Sequence, residues 1–158
     1  MLRHLSDKYN IENLHYVDDY LGRIIKKTRS IAVVGLSRDP NKVSFSVAEY
    51  LRAAGYLIIP INPMSDEIMG LQCYPSLSQI PDALLQKLDM VDVFRRSEDT
   101  PPIVDEAVRL HSRLGKPEII WMQSGIVNEE AAKRARNAGL DVVMDKCLRT
   151  EHKRTLFG

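Results

Sequence analysis

The chain has 158 residues, of which 44% are hydrophobic and 27% charged, and these values predict one soluble globular domain. Its 22 Lys and Arg nearly balance its 21 Asp and Glu, so the charge favours neither nucleic acid nor an anionic membrane as a partner. The two cysteines lack the spacing of metal ligands, and no stretch has the pattern of a signal peptide or a membrane span, so we expect a cytoplasmic protein without a metal site.

The first predicted element is an amphipathic helix over residues 11–28, which forms a helical extension before the core. Its apolar residues recur at helical spacing: Ile11, Leu14, Val17, Leu21, Ile24 and Ile25. Cations follow at its C-terminal end, where the helix dipole favours them. We therefore divide the single domain into an N-terminal extension (1–29), a core (30–147) and a weakly patterned tail (148–158).

In the core, short apolar segments alternate with amphipathic ones. The predicted strands are SIAVVGLS, YLIIPINP, LDMVDVF, KPEIIWMQ and LDVVMDK. The predicted helices are VSFSVAEYLRAAG, PPIVDEAVRLHSRLG and VNEEAAKRARNAG, the last with Asn128 as its N-cap. Residues 64–86 are expected to be irregular, with one short helical turn at most. The alternation predicts an α/β, Rossmann-like doubly wound fold: a mainly parallel five-stranded sheet with helices on both faces and an extra N-terminal helix.

Candidate binding residues follow the strands, because doubly wound sheets bind ligands beyond the carboxyl ends of their strands. After the first strand, Gly35 allows the backbone to approach a ligand closely. The loop then leads into a helix N-terminus, which favours phosphate, and Arg38 and Lys42 add positive charge. The dinucleotide fingerprint GxGxxG is absent, and an ordinary βα loop is the alternative interpretation.

The next two strand ends also carry polar groups. Asn62 stands where NAD-binding folds usually place a carboxylate, which would repel a phosphate on the ribose of CoA or NADP. Arg95 and Arg96 end the third strand and suit a phosphate or a stacked base, although a solvated surface pair is the alternative.

The last two strand ends provide a polar turn and a thiol. Gln123, Ser124 and Gly125 precede a helix, and this segment is equally typical of a structural turn. Cys147 is either a thiol that faces the crevice or an inert, partly buried cysteine. No histidine lies at a predicted strand end, so we assign no catalytic residue.

At these loops the sequence resembles the small bacterial and archaeal CoA-binding proteins related to the N-terminal domain of the succinyl-CoA synthetase α subunit. The matching segments are IAVVGLSRDPNKVSFSVAEYL, GYLIIPINP, GLQCYPSLSQIP, DMVDVFRRSE, IIWMQSGIVNEEAA and AGLDVVMDKC. They span about residues 30–147. The sequence departs from the family pattern at Ser124, where an apolar residue is usual, and at Leu148, where a proline often follows the cysteine.

The resemblance implies a CoA site at the first three strand ends. The loop after the first strand would cradle the CoA phosphates with Gly35, Ser37, Arg38, Lys42 and Ser44. The nucleotide part would lie against Asn62, Pro63, Phe94, Arg95 and Arg96. The synthetase relatives phosphorylate a histidine on a separate domain, for which this chain has no room, so the resemblance implies CoA binding without ligase activity.

Three hypotheses follow. The first is a non-catalytic module for CoA or acyl-CoA, with no nucleic acid or membrane partner and no assigned protein partner. The second is an enzyme for CoA thioester or thiol exchange that uses Cys147, and the third is an NAD(P)-binding redox sensor. The predicted cofactor-binding residues are Gly35, Ser37, Arg38, Lys42, Ser44, Asn62, Pro63, Phe94, Arg95, Arg96, Gln123, Gly125 and Cys147.

Overall fold

The computed structural model describes residues 9–10, 15–16 and 19–157. Within them, five parallel strands form a central sheet. The strands are β1 (Ser30–Val34), β2 (Leu57–Ile61), β3 (Met90–Val93), β4 (Ile119–Met122) and β5 (Asp141–Val143). Most of their residues are buried, as expected for apolar strands that are covered on both sides of a parallel sheet.

The spatial order of the strands is β2-β1-β3-β4-β5. The chain leaves β1 towards one edge of the sheet to form β2, and it returns to form β3 on the other side of β1. This reversal creates a topological switch point between the carboxyl ends of β1 and β3, where doubly wound folds bind their ligands. The predicted α/β, Rossmann-like fold with a mainly parallel five-stranded sheet is confirmed.

Helices cover both faces of the sheet. Their bounds are α1 (Tyr20–Lys27), α2 (Val43–Ala53), α3 (Asp82–Leu85), α4 (Thr100–Leu114), α5 (Glu129–Asn137) and α6 (Leu148–Phe157). Residues of α3, α4 and α5 pack in one apolar cluster with one face of the strands. Residues of α1, α2 and α6 pack in a second cluster with the opposite face. We call these the α4 face and the α2 face.

The ends of α4 and α5 follow the capping signals in their sequences. Asn128 accepts a hydrogen bond from the backbone N–H of Ala131 at 3.0 Å, which confirms it as the N-cap of α5. Helix α4 begins with prolines in its first turn and ends at Gly115, which adopts a φ of 76°.

The prediction of a continuous helix over residues 11–28 is wrong. His15–Tyr16 pairs with Tyr9–Asn10 in a short antiparallel ladder, and the helix begins only at Tyr20. Asp19 precedes it with a φ of 71°, a left-handed conformation that a continuous right-handed helix does not contain. The apolar positions Ile11, Leu14 and Val17 of that prediction lie outside the described residues.

Two other segments have more structure than their sequences indicate. The tail folds as α6, although its sequence has weak apolar periodicity. Residues 64–86 contain the short antiparallel pair Glu67–Ile68 and Leu71–Gln72, a 3-10 turn at Leu77–Gln79 and the single-turn helix α3. In the part of the chain that the structure describes, no helix combines the length and the apolar character that crossing a membrane requires.

Candidate functional site

Gly35 brings the end of β1 against the end of β3 at the switch point. Its backbone N–H donates to the carbonyl of Ile61 at 3.0 Å, and its φ is 85°. A Cβ at this position would lie 2.5 Å from the carbonyl oxygen of Phe94 and 2.9 Å from Cδ of Arg95. Both the left-handed φ and the close contact therefore require glycine.

The loop after Gly35 is held by hydrogen bonds among its own residues. The N–H of Ser37 donates to Oγ of Ser44 at 3.0 Å, and the N–H of Asp39 donates to Oγ of Ser37 at 3.0 Å. Oδ1 of Asp39 in turn accepts from the N–H of Asn41 at 2.9 Å. The two predicted serines therefore shape the loop, which leaves its exposed cations Arg38 and Lys42 at the surface.

A cleft of about 380 Å³ opens at the switch point on the α4 face. Its apolar wall consists of Val34, Ile61, Pro63, Pro75, Leu77, Pro102 and Ile103. Gly35, Ser76, Arg95, Glu98, Asp99 and Glu106 supply its polar atoms. The volume lies in the usual range of small-molecule sites, about 300–1,000 Å³.

The two adjacent arginines have different environments. Arg96 forms ion pairs within its own loop, with Nε 2.8 Å from Asp99 and 3.4 Å from Glu98. The hydrogen bond that its guanidinium donates to Asp99 raises the pKa of Arg96. Arg95 lines the cleft and has no ion pair with any residue in the described ranges. Arg95 is therefore the cation that is available to a ligand in the cleft.

Asn62 connects three backbone segments around the cleft. Its Nδ2 donates to the carbonyl of Leu36 at 3.0 Å, and its Oδ1 accepts from the N–H of Met64 at 2.8 Å. Its own N–H donates to the carbonyl of Tyr74 at 3.0 Å. The side-chain amide is thus occupied within the fold, and Asn62 shapes the site through the loops that it holds.

Gln123 links the end of β4 to the beginning of α6. Its side chain is buried, and its Oε1 accepts from the N–H of Leu148 at 3.1 Å. The neighbouring turn is fixed by Asp145, whose Oδ1 accepts from the N–H of Gly125 at 2.6 Å. The indole of Trp121 donates to the carbonyl of Lys146 at 2.8 Å, so the segment before α6 is attached to β4 at several points.

Cys147 occupies the residue before α6 and remains partly exposed. Its carbonyl accepts from the N–H of Glu151 at 3.0 Å, as the N-cap residue of a helix does. Burial raises the pKa of its thiol, but hydrogen bonds from Thr150, Gln123 and the backbone of Arg149 outweigh burial and lower that pKa overall. The hydrogen bonds around Cys147 therefore stabilise its thiolate more than water stabilises that of an exposed cysteine.

Sequence analysis missed Asp92, a buried carboxyl that lies close enough to Cys147 for their charges to interact. Asp92 is fully buried in β3, and neither carboxyl oxygen has a hydrogen-bond partner among the described residues. Burial, and then the charge of Cys147, raises the pKa of this carboxyl well above its ordinary value. Its position inside the apolar run MVDVF gave the only sequence signal, a charged residue in the middle of a strand predicted to be buried.

A profile of the family described as "CoA binding domain" matches residues 29–153, which include the whole sheet and the cleft. The chain belongs to this CoA-binding domain family. The resemblance found in the sequence is confirmed, and the match extends the family's region into α6, in the segment that sequence analysis treated as a weakly patterned tail.

Relatives of this CoA-binding domain include both small proteins and parts of larger ones. It is 38% identical over 129 residues to the uncharacterized protein YneT of Bacillus subtilis, with 82% of this chain and 89% of YneT aligned. A solved structure, a hypothetical protein from Pyrococcus horikoshii, superposes with a TM-score of 0.79 at 34% identity, covering 89% of this chain and 92% of that one. An ADP-forming acetate–CoA ligase II of Archaeoglobus fulgidus is 34% identical over 83 residues, which are 51% of this chain and only 12% of the ligase.

Five of the thirteen predicted site residues fall into two groups in this CoA-binding domain. Gly35, Pro63 and Arg95 line the cleft on the α4 face. Phe94 and Cys147 pack against the apolar cluster of the α2 face. The close approach of Gly35 to the backbone of Phe94 and the side chain of Arg95 lies where the two groups meet.

Proposed function

We propose that this domain binds coenzyme A or acyl-CoA across the carboxyl ends of β1 and β3, through the loop of residues 35–44, as a non-catalytic module. The observation that carries the proposal is Arg95, a cation without an ion pair in the described ranges, at the rim of a cleft beside the glycine-dependent end of β1. The membership of the chain in the CoA-binding domain family supports the same ligand.

The phosphates of CoA would lie at the loop and the start of α2. Lys42 is the N-cap residue of this eleven-residue helix, and its side chain makes no capping hydrogen bond. The first turn of a helix carries unpaired N–H groups and a partial positive charge, which attract phosphate. Arg38, Lys42 and Arg95 add three exposed cations, so this region suits a ligand with a pyrophosphate and a further ribose phosphate.

The nucleoside part of CoA would occupy the cleft. Its wall of aliphatic and proline side chains offers an apolar surface to a planar base. Glu106 is one of the carboxylates that line the cleft. Its side chain already accepts hydrogen bonds from the N–H of Leu77 at 3.0 Å and the hydroxyl of Ser78 at 2.8 Å. Its negative charge is therefore partly compensated within the protein.

The hydrogen bonds of the polar side chains at the strand ends support a non-catalytic role. The side chains of Asn62, Gln123 and Asp145 all hold neighbouring loops through hydrogen bonds. Groups that are committed in this way shape a binding surface, and they are not free to transfer protons to a substrate.

Ligand titration tests the proposal. We expect CoA to raise the melting temperature at sub-millimolar concentration, since a ligand that binds only the folded state stabilises it by mass action. Dephospho-CoA should have a smaller effect because it lacks the ribose phosphate, and NADH should have the smallest. A larger shift with NADH than with CoA would overturn the proposal in favour of a dinucleotide.

Substitution of Arg95 locates the site. Arg95→Ala should weaken CoA binding by about 1–3 kcal/mol, the range of a charge-assisted hydrogen bond, as measured by calorimetry. Arg113→Ala removes the same charge at the last turn of α4, where Arg113 contacts Asp82 at 3.4 Å, and it serves as the matched control. Equal affinities of the two variants would place the ligand elsewhere.

A further inference from the structure

Outside the cleft, Cys147 is a second candidate for contact with a ligand, because its thiol is partly exposed at the beginning of α6. The thiol lies on the α2 face, in a segment held at the carboxyl end of β4, whereas the cleft lies on the α4 face at the carboxyl ends of β1 and β3. A ligand that lies across this edge over Gly35 extends from one face towards the other, because the main chain at residue 35 carries no side chain and packs directly on the backbone of Phe94. CoA is such a ligand, since its nucleotide carries a flexible arm that ends in a thiol.

The position of Cys147 is rigidly defined. Trp121 and Gln123, both buried in or next to β4, bind the carbonyl of Lys146 and the N–H of Leu148 on either side of it. Because Oε1 of Gln123 accepts from Leu148, its amide nitrogen is the atom left to donate to the sulfur of Cys147. The thiol is thus placed at a helix N-terminus with hydrogen-bond donors around it, which stabilises a thiolate.

Asp92 is an independent observation that points to the same place. It lies next to Trp121 in the register of β3 and β4, on the face that carries Cys147. Its buried carboxyl has no hydrogen-bond partner among the described residues, an arrangement that costs stability and is uncommon away from functional sites. Two negative charges repel each other, so the thiolate of Cys147 and a neutral Asp92 are the compatible pair.

We propose that Cys147 forms a reversible mixed disulfide with the terminal thiol of CoA, an inference that rests on the function proposed above. The reaction partner is CoA disulfide. The thiolate of Cys147 attacks one of its sulfurs, the bond between the two ligand sulfurs breaks, and a bond forms between Cys147 and one CoA. The second CoA leaves as a thiolate and takes a proton from water. CoA disulfide is the oxidant, and a reduced thiol reverses the reaction. The domain would then respond to the oxidised part of the CoA pool.

Intact-mass spectrometry of the full chain, reduced and freed of small thiols, tests this inference. After incubation with CoA disulfide, we expect an increase equal to one bound CoA that dithiothreitol removes. Cys73→Ser should form the same adduct, because Cys73 is buried and burial raises the pKa of its thiol. Cys147→Ser should form none. No adduct on the parent protein, or an adduct that persists in Cys147→Ser, would overturn the inference.

Two further measurements separate a directed reaction from a generally reactive thiol. Glutathione disulfide should react at least about tenfold more slowly, since only a bound ligand presents its sulfur at a high effective concentration. Desulfo-CoA, which has no sulfur to exchange, should protect Cys147 by occupying the site. Equal rates for both disulfides, or no protection, would overturn the inference.

Non-covalent binding is measured separately on the parent protein in dithiothreitol, where no disulfide persists. We expect CoA to raise its melting temperature there, and a cooperative melting transition of Cys147→Ser shows that this variant is folded. If CoA stabilises the reduced parent but CoA disulfide forms no adduct, the inference fails and the proposed function stands. If CoA does not stabilise the reduced parent, both fail.

Discussion

At the scale of single residues, we expect position 35 to be especially intolerant of substitution, because its conformation and its close neighbours require glycine. Gly35→Ala places a methyl group 2.5 Å from the carbonyl oxygen of Phe94 and imposes a left-handed φ on alanine. We expect the free energy of unfolding, measured in urea, to fall by at least about 2 kcal/mol, the sum of backbone strain and overpacking. The ends of β1 and β3 must also separate, so the variant should lose its stabilisation by CoA.

Gly115→Ala is the matched control for this prediction. Gly115 has a similar φ of 76°, but a Cβ there meets no atom within 4 Å. Its cost should be that of the left-handed conformation alone, about 1 kcal/mol. If the two variants lost the same free energy of unfolding, the close contact at Gly35 would not contribute to stability. Gly35 would then not shape the switch point in the way that we infer.

The sequence indicated which residues lie at the strand ends better than it indicated what those residues contact. Gly35 could be predicted because it follows a buried strand and precedes a helix. Gln123 and Asn62 were recognised as polar groups at strand ends, but their partners, Leu148 and Leu36, become neighbours only in the folded chain. Asp92 was missed because a single carboxylate in an apolar run does not disrupt the strand pattern.

At the scale of elements, buried polar residues explain why the sequence did not predict helix α6. Helix α6 buries Glu151 and His152 together with Leu148, so apolar periodicity does not mark its inner side. Nδ1 of His152 lies 2.8 Å from the hydroxyl of Tyr50 in α2, a contact between residues that are far apart in the sequence. The strands were easier to predict, because uninterrupted apolar runs of four or five residues are typical of parallel sheets.

Asp89, just before β3, and Asp92, within β3, should affect the dependence of stability on pH in opposite directions. Asp89 accepts hydrogen bonds from the N–H groups of Arg29 and Ser30, and lies 2.7 Å from Nζ of Lys116. Burial raises its pKa, but the bond with Lys116 and the two backbone bonds outweigh burial and lower it overall. It therefore stabilises the fold above its ordinary pKa, and this contribution is lost as the pH falls through the lowered value.

Asp92 has a raised pKa, so its contribution to stability changes with pH in the opposite direction to that of Asp89. The folded state keeps its proton above the ordinary pKa of about 4, whereas the unfolded state releases it, so stability falls as the pH rises towards the raised value. Relative to the parent, we expect Asp92→Asn to gain stability over that interval by up to about 1.4 kcal/mol per pH unit. Asp89→Asn should lose about 2 kcal/mol at neutral pH and little in acid.

Urea unfolding between pH 3 and pH 8 measures both effects. The parent protein and the two variants differ in one side-chain group each, and Asn has nearly the shape of Asp, so packing changes little. Parallel curves for Asp92→Asn and the parent would show that Asp92 has the same pKa in both states, and Asp92 would then not be a neutral acid beside Cys147.

At the scale of the whole molecule, the alternation of strands and helices was sufficient to predict the fold and which loops lie at the carboxyl edge of the sheet. The division of the site between two faces could not be predicted, because it depends on which face each helix covers. Helices α2 and α6 cover one face and α4 the other, so Cys147 and Arg95 lie on different sides of β3. The switch point is where one ligand can reach both.

This geometry predicts the pattern of protection when CoA binds, as measured by amide hydrogen exchange. We expect slower exchange in three segments at the carboxyl edge of the sheet: residues 35–44, 94–97 and 147–150. Backbone amides at the opposite edge, in residues 28–30 and 116–118, should be unchanged because they lie at the amino ends of β1 and β4. Dephospho-CoA should protect the same segments at a higher concentration. Protection of 35–44 and 94–97 without 147–150 would mean that the arm of CoA does not cross to the α2 face, whereas protection at the opposite edge would contradict a site at the switch point.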